Sequence, residues 1–378
     1  MNTVCDKEKC VGCMACVEKC PKNAIAIQDS LTAYDAVIDE NSCVNCGICH
    51  RVCQINNPLN LKETRTWLQG WINDKNLRER SSSGGAATAL LRQFVKQGGI
   101  VCSCRFENGK FDFGFADNIE HLGDFAGSKY VKSNPLGVYK SIQDYLKAGK
   151  NVLFLGLPCQ VAAVKNYIGS SFVSQLMLVE LICHGTPSPK VLEFFLADHD
   201  LSLSKLNSIQ FRCKDNFHIS SNTEDLMPIA SKGIQDLYSY AFLNSTTYTD
   251  NCYSCVYAQE KRVADISLGD SWGSELSMEE KKKGISLILC QTEKGERLVR
   301  AADIHLEPVD RQKSIKANRQ LKVPSKAPEE RTAFFQTLKE KRSFEKAILK
   351  VYPKKYVKYK LKELLIRLNL WGGENLTR

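Results

Sequence analysis

Two runs of cysteines with the same spacing constrain this chain more than any other feature. Each run has the pattern C-x2-C-x2-C-x3-C, the first with Cys10, Cys13, Cys16 and Cys20, the second with Cys43, Cys46, Cys49 and Cys53. Three cysteines at successive intervals of three can surround one corner of a cubane cluster, while the fourth reaches a neighbouring cluster. We therefore expect two 4Fe–4S clusters, one held by Cys10, Cys13, Cys16 and Cys53, the other by Cys43, Cys46, Cys49 and Cys20.

This spacing makes residues 1–57 resemble a two-cluster bacterial ferredoxin. Pro21 follows the first run as in the bacterial pattern, whereas Gln54 stands in its place after the second run. That departure removes no ligand, because the proline only shapes the turn. The stretches "AIAIQ" and "YDAVID" between the runs predict a short hairpin. Two zinc sites are the alternative, although zinc does not require three cysteines at intervals of three.

Cysteine content and charge limit the class of protein further. The chain has 378 residues, 17 of them Cys, and a formal charge of +10 with every thiol neutral. It shows no signal-like segment and no long apolar run, so we predict a cytoplasmic protein whose clustered cysteines bind metal or do redox chemistry. Three clusters at about −2 each would lower the charge to roughly +4. The positive charge therefore does not indicate a nucleic-acid partner, and no nucleic-acid motif is present.

Beyond the ferredoxin-like module the hydrophobic pattern alternates between strands and helices. Buried strands such as "NVLFLG" and "QLMLVELIC" precede helices such as "LPCQVAAVKNYI" and "SPKVLEFFLADHD". The fold class we predict is an α+β ferredoxin-like module at residues 1–57, then an α/β domain with a mainly parallel sheet at 65–325. A basic helical tail at 326–378 completes the chain.

The tail contains leucines at helical intervals, namely Leu361, Leu364, Leu365 and Leu368, with Lys and Arg between them. We favour packing of this helix on the core with a solvated basic face. The alternatives are peripheral contact with a membrane surface and docking of an acidic partner such as a ferredoxin.

A further group of cysteines is predicted at the carboxyl edge of the sheet. Cys159 lies in the first turn of a helix just after a strand, and Cys183 ends the next strand. Ligands of open α/β sheets gather at this edge. Cys252 and Cys255 form a C-x-x-C pair, so four thiols are available for a third cluster. Spacing alone also allows zinc, a redox dithiol or buried cysteines that only fill space.

Six stretches, in order, resemble the coenzyme F420 hydrogenase/dehydrogenase β-subunit family over about residues 65–320. They are "SSSGGAATALL", "GSKYVKS", "VLFLGLPCQVAAVK", "LICHGTPSPKV", "CYSCVYA" and "RVADISLGDSWG". The resemblance implies an oxidoreductase that depends on FAD and iron–sulfur clusters. It also implies a third 4Fe–4S cluster, with ligands Cys159, Cys183, Cys252 and Cys255. The soluble acceptor is the deazaflavin F420 in archaeal members and a chlorophyll precursor in plant and cyanobacterial relatives.

The resemblance also implies a flavin site, at Ser83, Gly84, Gly85, Thr88, Lys129, Tyr130 and Ser133. A glycine pair before a helix lets backbone amides approach a phosphate, although an ordinary helix start and a solvated lysine would look the same. His184 is the catalytic candidate: it could donate a proton to the substrate, tune a cluster or have no role. Arg262, Asp265 and Asp270 could build a substrate pocket or pair with one another.

These observations favour a relay enzyme. Electrons would pass between the ferredoxin-type clusters, the third cluster and FAD, and a hydride equivalent would pass to or from a small organic substrate, F420-like or other. The alternative is an electron-transfer subunit that has no substrate of its own and serves a redox partner enzyme. A zinc-stabilised interaction scaffold is the third class.

Overall fold

The computed structural model describes residues 2–214, 216–222, 227–230 and 234–371. The strands are β1 Asn2–Thr3, β2 Ile25–Asp29, β3 Tyr34–Ile38, β4 Thr66–Ile72, β5 Ile100–Glu107, β6 Lys110–Ala116, β7 Val152–Gly156, β8 Leu176–Leu181, β9 Ser208–Gln210, β10 Ser220–Asn222, β11 Met227–Pro228, β12 Ile266–Asp270, β13 Ser286–Cys290 and β14 Ile304–Pro308. The α-helices are α1 Ala15–Lys19, α2 Ile48–Val52, α3 Lys75–Arg80, α4 Ala86–Lys96, α5 Val138–Lys147, α6 Pro158–Ile168, α7 Pro189–Ala197, α8 Leu237–Leu243, α9 Met278–Lys283, α10 Glu293–Ala301, α11 Arg311–Ala317, α12 Arg331–Lys341, α13 Phe344–Val351 and α14 Pro353–Arg367.

An eight-stranded sheet forms the centre of the molecule, in the order β14-β4-β13-β12-β8-β7-β5-β6. The predicted parallel core is present, because β5, β7, β8 and β12 are parallel neighbours. Antiparallel strands extend it on both sides, with β6 beyond β5, and with β13, β4 and β14 beyond β12. The whole sheet is therefore mixed rather than mainly parallel, and β13 runs antiparallel to both its neighbours.

Helices cover both faces of this sheet. Val152 and Phe154 of β7 belong to one apolar cluster with side chains of α5 and α6. Leu153 and Leu155, which alternate with them, belong to another cluster with side chains of α4 and α10. A strand buried on both faces explains why "NVLFLG" is a continuous apolar run. The result is a three-layer arrangement. Cys159 and Cys183 follow the carboxyl ends of β7 and β8 in the chain, so both lie at the same edge of the sheet.

The two cysteine runs share a backbone path. Gly12 and Met14 in the first run have φ of 65° and 63°, and Asn45 and Gly47 at the matching places in the second have 54° and 70°. A five-residue helix follows in each case, α1 or α2. Between the runs, β2 and β3 pair antiparallel and confirm the predicted hairpin.

The position of Gly12 admits only glycine, because it has no room for a side chain. Its replacement therefore tests whether the backbone of the first cysteine run matters for stability and iron binding. A Cβ at Gly12 would lie 2.4 Å from Cδ1 of Tyr34, in a left-handed conformation with φ of 65°. Gly12→Ala should cost about 1–2 kcal/mol from the backbone alone, and more from displacement of Tyr34. Compared with the unchanged protein, we expect the variant to unfold at a midpoint temperature several degrees lower under anaerobic conditions and to bind less iron per chain. The matched control is Gly123→Ala, since no heavy atom lies within 4 Å of that Cβ; equal midpoints for both variants would contradict the prediction.

The N-terminal module packs directly on the α/β part. The carboxylate of Glu18 accepts hydrogen bonds from the backbone N–H groups of Gly137, at 2.8 Å, and Lys140, at 2.6 Å, at the start of α5. The hydroxyl of Tyr139 donates to the carbonyl oxygen of Cys13. One apolar cluster spans both parts, so the cysteine runs are held against the edge of the large sheet.

The C-terminal segment is helical, as predicted, but its leucines do not pack on the core. Tyr359 of α14 is 2% exposed, whereas Leu361, Leu364 and Leu368 are 54%, 51% and 56% exposed. Tyrosines of α14 occupy the core-facing side of the helix and join the cluster of α7, α8, α12 and α13. Among the described residues no helix combines the length and apolarity needed to span a bilayer.

Candidate functional site

The first site is a small cavity lined by Cys10, Cys13, Cys16 and Cys53, with Cys5 beside them. Cys53 of the second run thus lies with three cysteines of the first, which is the crossing that the spacing predicts. Burial raises the pKa of the Cys16 thiol, and so do the neighbouring thiols. Cys5 has no role in the sequence pattern, yet its thiol lies beside those of Cys10 and Cys53 and, as a hydrogen-bond donor, lowers the pKa of both.

The second site is a cavity of about 190 Å³ lined by the remaining four cysteines of the two runs, Cys20, Cys43, Cys46 and Cys49. Backbone N–H groups point at its sulfurs: Asn45 donates to Sγ of Cys43 and Ala24 to Sγ of Cys20, both at 3.4 Å. Cys46 is exposed. This site is therefore the one of the two that opens to the surface of the protein.

The third site is a cavity of about 410 Å³ lined by Cys159, Cys183, Cys252 and Cys255. Cys159 lies in the first turn of α6, and Cys183 follows the end of β8. Cys252 lies in the 3-10 turn Asp250–Ser254, and Cys255 directly follows it. Burial raises the pKa of Cys159 to about 12, which the charge of Lys132 opposes. The fold thus brings together four thiols from three separate segments.

The donor sets of the three sites fit 4Fe–4S clusters. Thiols that are costly to ionise in a buried site become thiolates when cationic iron is close. The backbone N–H of Thr186 donates to Sγ of Cys252 at 3.4 Å, as expected around a thiolate. Among the described residues, no three His, Cys, Asp or Glu side chains converge on a point that one metal ion could occupy. A cubane needs no such point, because each of its four irons takes one thiolate.

The first and third sites share a wall. Val11, Gln54 and Ile55 line both cavities. The second cavity has no lining residue in common with the third. The second cavity shares no lining residue with the first cavity either, so the shared wall joins the first and third sites only.

The predicted flavin residues lie apart from the third cavity, which none of them lines. A Cβ on Gly84 would lie 2.5 Å from the carbonyl oxygen of Gly70, and one on Gly85 would lie 2.6 Å from Cγ2 of Ile72. The glycine pair is therefore needed for close packing against β4. Ser83 donates through its hydroxyl to the carbonyl of Ile285 at 2.9 Å. Thr88 lies on α4 and is partly exposed.

The three other predicted flavin residues make internal contacts. The ammonium of Lys129 donates to the carbonyls of Phe125 and Ala126, and burial lowers its pKa to about 8. The ring of Tyr130 stacks on Phe242 at 4.4 Å. Ser133 is buried, and its hydroxyl oxygen accepts a hydrogen bond from the Gln160 amide at 2.9 Å.

Cations and aromatic rings border this region, and sequence reasoning missed most of them. Arg212 forms a bidentate pair with Asp270, at 2.7 and 2.9 Å, and its guanidinium lies 4.6 Å from the Phe217 ring and 5.4 Å from the Trp272 ring. Lys214 donates to the carbonyl of Ser83 at 2.9 Å, and burial lowers its pKa to about 8. Both cations are thus engaged within the protein, Arg212 with a carboxylate and Lys214 with a main-chain carbonyl. No motif signals Arg212 or Lys214.

Arg262 and Asp265 do not pair with each other. Arg262 binds the carboxylate of Glu180 in the interior, and Asp265 pairs with Lys62 at 3.4 Å and Lys294 at 3.0 Å. Of the three polar positions singled out in the sequence, only Asp270 therefore lies in the cationic and aromatic region.

His184 is accessible from the third cavity, which it lines. Although the residue is exposed, partial desolvation of its ring lowers the pKa, whereas the charge of Asp270 acts to raise it. The structure therefore brings this histidine near both the third cysteine site and the Arg212–Asp270 pair.

Comparison with known proteins gives three family matches. The family described as the C terminus of the coenzyme F420 hydrogenase/dehydrogenase beta subunit matches residues 149–312, and its N-terminal counterpart matches residues 67–140. A 4Fe-4S dicluster domain matches residues 9–57. A search of curated proteins found no match. Among solved structures, a chain of the xenon-derivatized F420-reducing [NiFe] hydrogenase complex from Methanosarcina barkeri is 18% identical, with a TM-score of 0.48, over 69% of this chain and 91% of that chain.

Proposed function

Since the chain belongs to the coenzyme F420 hydrogenase/dehydrogenase β-subunit family and carries a 4Fe–4S dicluster domain in front, we propose that it is a cytoplasmic iron–sulfur flavoprotein oxidoreductase. It transfers electrons between the ferredoxin-like module and a small organic substrate, F420-like or other. We retain the division into residues 1–57, 65–325 and 326–378. A subunit that only hands electrons to a redox partner enzyme is the second candidate, favoured by the exposure of Cys46 at the second site.

One observation carries the proposal: four cysteines from three segments line one cavity, and that cavity shares a wall with the first site. Cysteines that only fill space need not line a common cavity. A zinc ion would need its thiols to converge on one point, and no such point exists among the described residues. When bound, iron–sulfur clusters exchange single electrons, and FAD couples them to two-electron chemistry. Contact between the first and third sites, with a flavin bound near the third, would give such coupling a continuous path.

In this proposal the residues of the chain have distinct roles. Cys159, Cys183, Cys252 and Cys255 hold the third cluster, and Lys132 offsets part of its negative charge. Ser83, Gly84, Gly85, Thr88, Lys129, Tyr130 and Ser133 would border the FAD. Arg212 and Lys214, which in this structure contact Asp270 and the carbonyl of Ser83, would supply charge for its phosphates. His184 lines the third cavity and would exchange a proton with the substrate.

The test is anaerobic purification with iron, sulfide and flavin counted per chain. We expect about twelve irons, four for each cluster, and one FAD. Eight irons with FAD absent would leave a dicluster carrier and remove the enzyme proposal. Twelve irons without FAD would favour the electron-transfer subunit.

We also propose that α14 binds the surface of an anionic membrane. Val357, Leu361, Leu364 and Leu368 form an exposed apolar stripe along the helix. Lys354, Lys358 and Arg367 lie on the same helix and have no ion pair within the described residues. An apolar stripe flanked by free cations complements acyl chains below anionic headgroups.

Vesicle sedimentation tests the membrane contact. Replacing Leu361, Leu364 and Leu368 by Gln should weaken binding to phosphatidylserine-containing vesicles by about tenfold or more, because each leucine loses its burial in the acyl region. Neutral phosphatidylcholine vesicles should bind even the unchanged protein weakly. Met278→Gln is the matched control, since Met278 is 66% exposed on α9, away from the stripe. Equal sedimentation of the triple variant and the unchanged protein would dismiss the proposal.

A further inference from the structure

The side-chain amide nitrogen of Gln54 has no hydrogen-bond partner among the described residues, and Gln54 lies in the wall between the first and third cysteine sites. It stands after Cys53, where the first run has Pro21, and it is 2% exposed. The hydroxyl of Tyr257 donates to its Oε1. Its Nε2 has no hydrogen-bond partner. Leaving a buried N–H donor unpaired costs stability, so we expect a bound group to provide the hydrogen-bond acceptor that the protein does not.

Gln54 lines both the first and the third cavity, but Tyr257, which binds its Oε1, lines only the third, so we assign the acceptor to the third cavity. Gln54 lines it together with Arg262, which is also 2% exposed and whose Nη2 is also without a partner. Among the described residues, these are the two buried, unpaired side-chain atoms on the wall of this cavity, and both are donors. A cavity that offers spare N–H groups beside four thiols suits a group with negatively charged sulfur on its surface.

We propose that Nε2 of Gln54 donates a hydrogen bond to a thiolate or sulfide sulfur of the cluster held by Cys159, Cys183, Cys252 and Cys255. This inference rests on the third cluster proposed above. Tyr257 is a positioning residue, because its hydroxyl holds Oε1 and so fixes the orientation of the amide. A donor near a cluster stabilises the reduced, more negative state and raises the reduction potential. Glutamine in place of proline would thus raise the reduction potential of the third cluster and favour electron transfer to it from the first cluster across the shared wall.

The experiment is an anaerobic redox titration followed by electron paramagnetic resonance, with the third cluster's signal identified by its loss in Cys183→Ser. Gln54→Leu removes the amide at similar volume and should move the midpoint potential of the third cluster to a more negative value. Gln54→Glu, which puts negative charge in the same place, should move it further. Tyr257→Phe should give a smaller shift in the same direction, and it keeps the test valid if position 54 does not tolerate leucine.

The outcomes separate this inference from the proposed function. Twelve irons per chain with an unchanged third midpoint in Gln54→Leu and Tyr257→Phe would overturn the role of Gln54 alone. Eight irons in the unchanged protein would overturn this inference, and eight irons without FAD would overturn the proposed function as well. The midpoint of the second cluster serves as the internal control, because Gln54 does not line that cavity, and an equal shift there would show a general disturbance and also overturn the inference.

Discussion

Replacement of Cys183 by serine should remove about four of about twelve irons and leave the other eight in place. Cys183 lines the third cavity and neither of the other two. A serine hydroxyl does not replace a thiolate, since iron in these clusters is held by sulfur anions. Iron and sulfide counts after anaerobic purification measure the loss, and electron paramagnetic resonance identifies the signal that disappears.

Cys213→Ser is the matched control for this measurement. Cys213 is exposed, and its thiol lines none of the three cavities. We expect it to keep the iron content of the unchanged protein. If Cys183→Ser retained all its iron, Cys183 would not be a ligand, and the third cluster would need a different set of residues.

The spacing of the cysteines predicts the first two sites well, because three ligands of each cluster lie within seven residues of the sequence. A cubane dictates the intervals between three of its ligands, so the two runs can be recognised from letters alone. The structure then brings Cys53 beside Cys10 and Cys20 beside Cys43, as the crossed pattern requires. Ligation itself stays a prediction. The strand–helix alternation likewise predicts the parallel core, since each buried strand is a short apolar run in the sequence.

Contacts between distant segments could not be predicted in this way. Tyr257 meets Gln54 across 203 positions, and Arg212 meets Asp270 across 58. Neither pair shows any periodicity or motif, because its partners lie on elements that only the sheet order brings together. The antiparallel strands β4 and β14 depend on the same long-range order. In α14, tyrosines rather than leucines face the core, and helical spacing alone does not say which of two apolar stripes is buried.

The buried pair of Arg262 and Glu180 should have the largest effect on stability. Arg262 is 2% and Glu180 is 0% exposed, and Ser267 also donates to that carboxylate at 2.8 Å. Arg262→Met would leave the carboxylate without its cation, at a cost of about 3–5 kcal/mol. We expect a clearly lower denaturation midpoint under anaerobic conditions. Glu180 lies three residues before Cys183, so iron should also be lost from the third site.

Two further variants test whether the unpaired charge of Glu180 causes the loss of stability in Arg262→Met. Combining Arg262→Met with Glu180→Leu leaves no uncompensated charge in the interior, so most of the lost stability should return. Arg311→Met removes the same kind of group from a pair with Glu260, but those side chains are 59% and 37% exposed. That change should cost less than about 1 kcal/mol, because water already screens the pair. If Arg262→Met were no more destabilising than Arg311→Met, the interior pair would not be what holds β8 against the segment that carries Cys255.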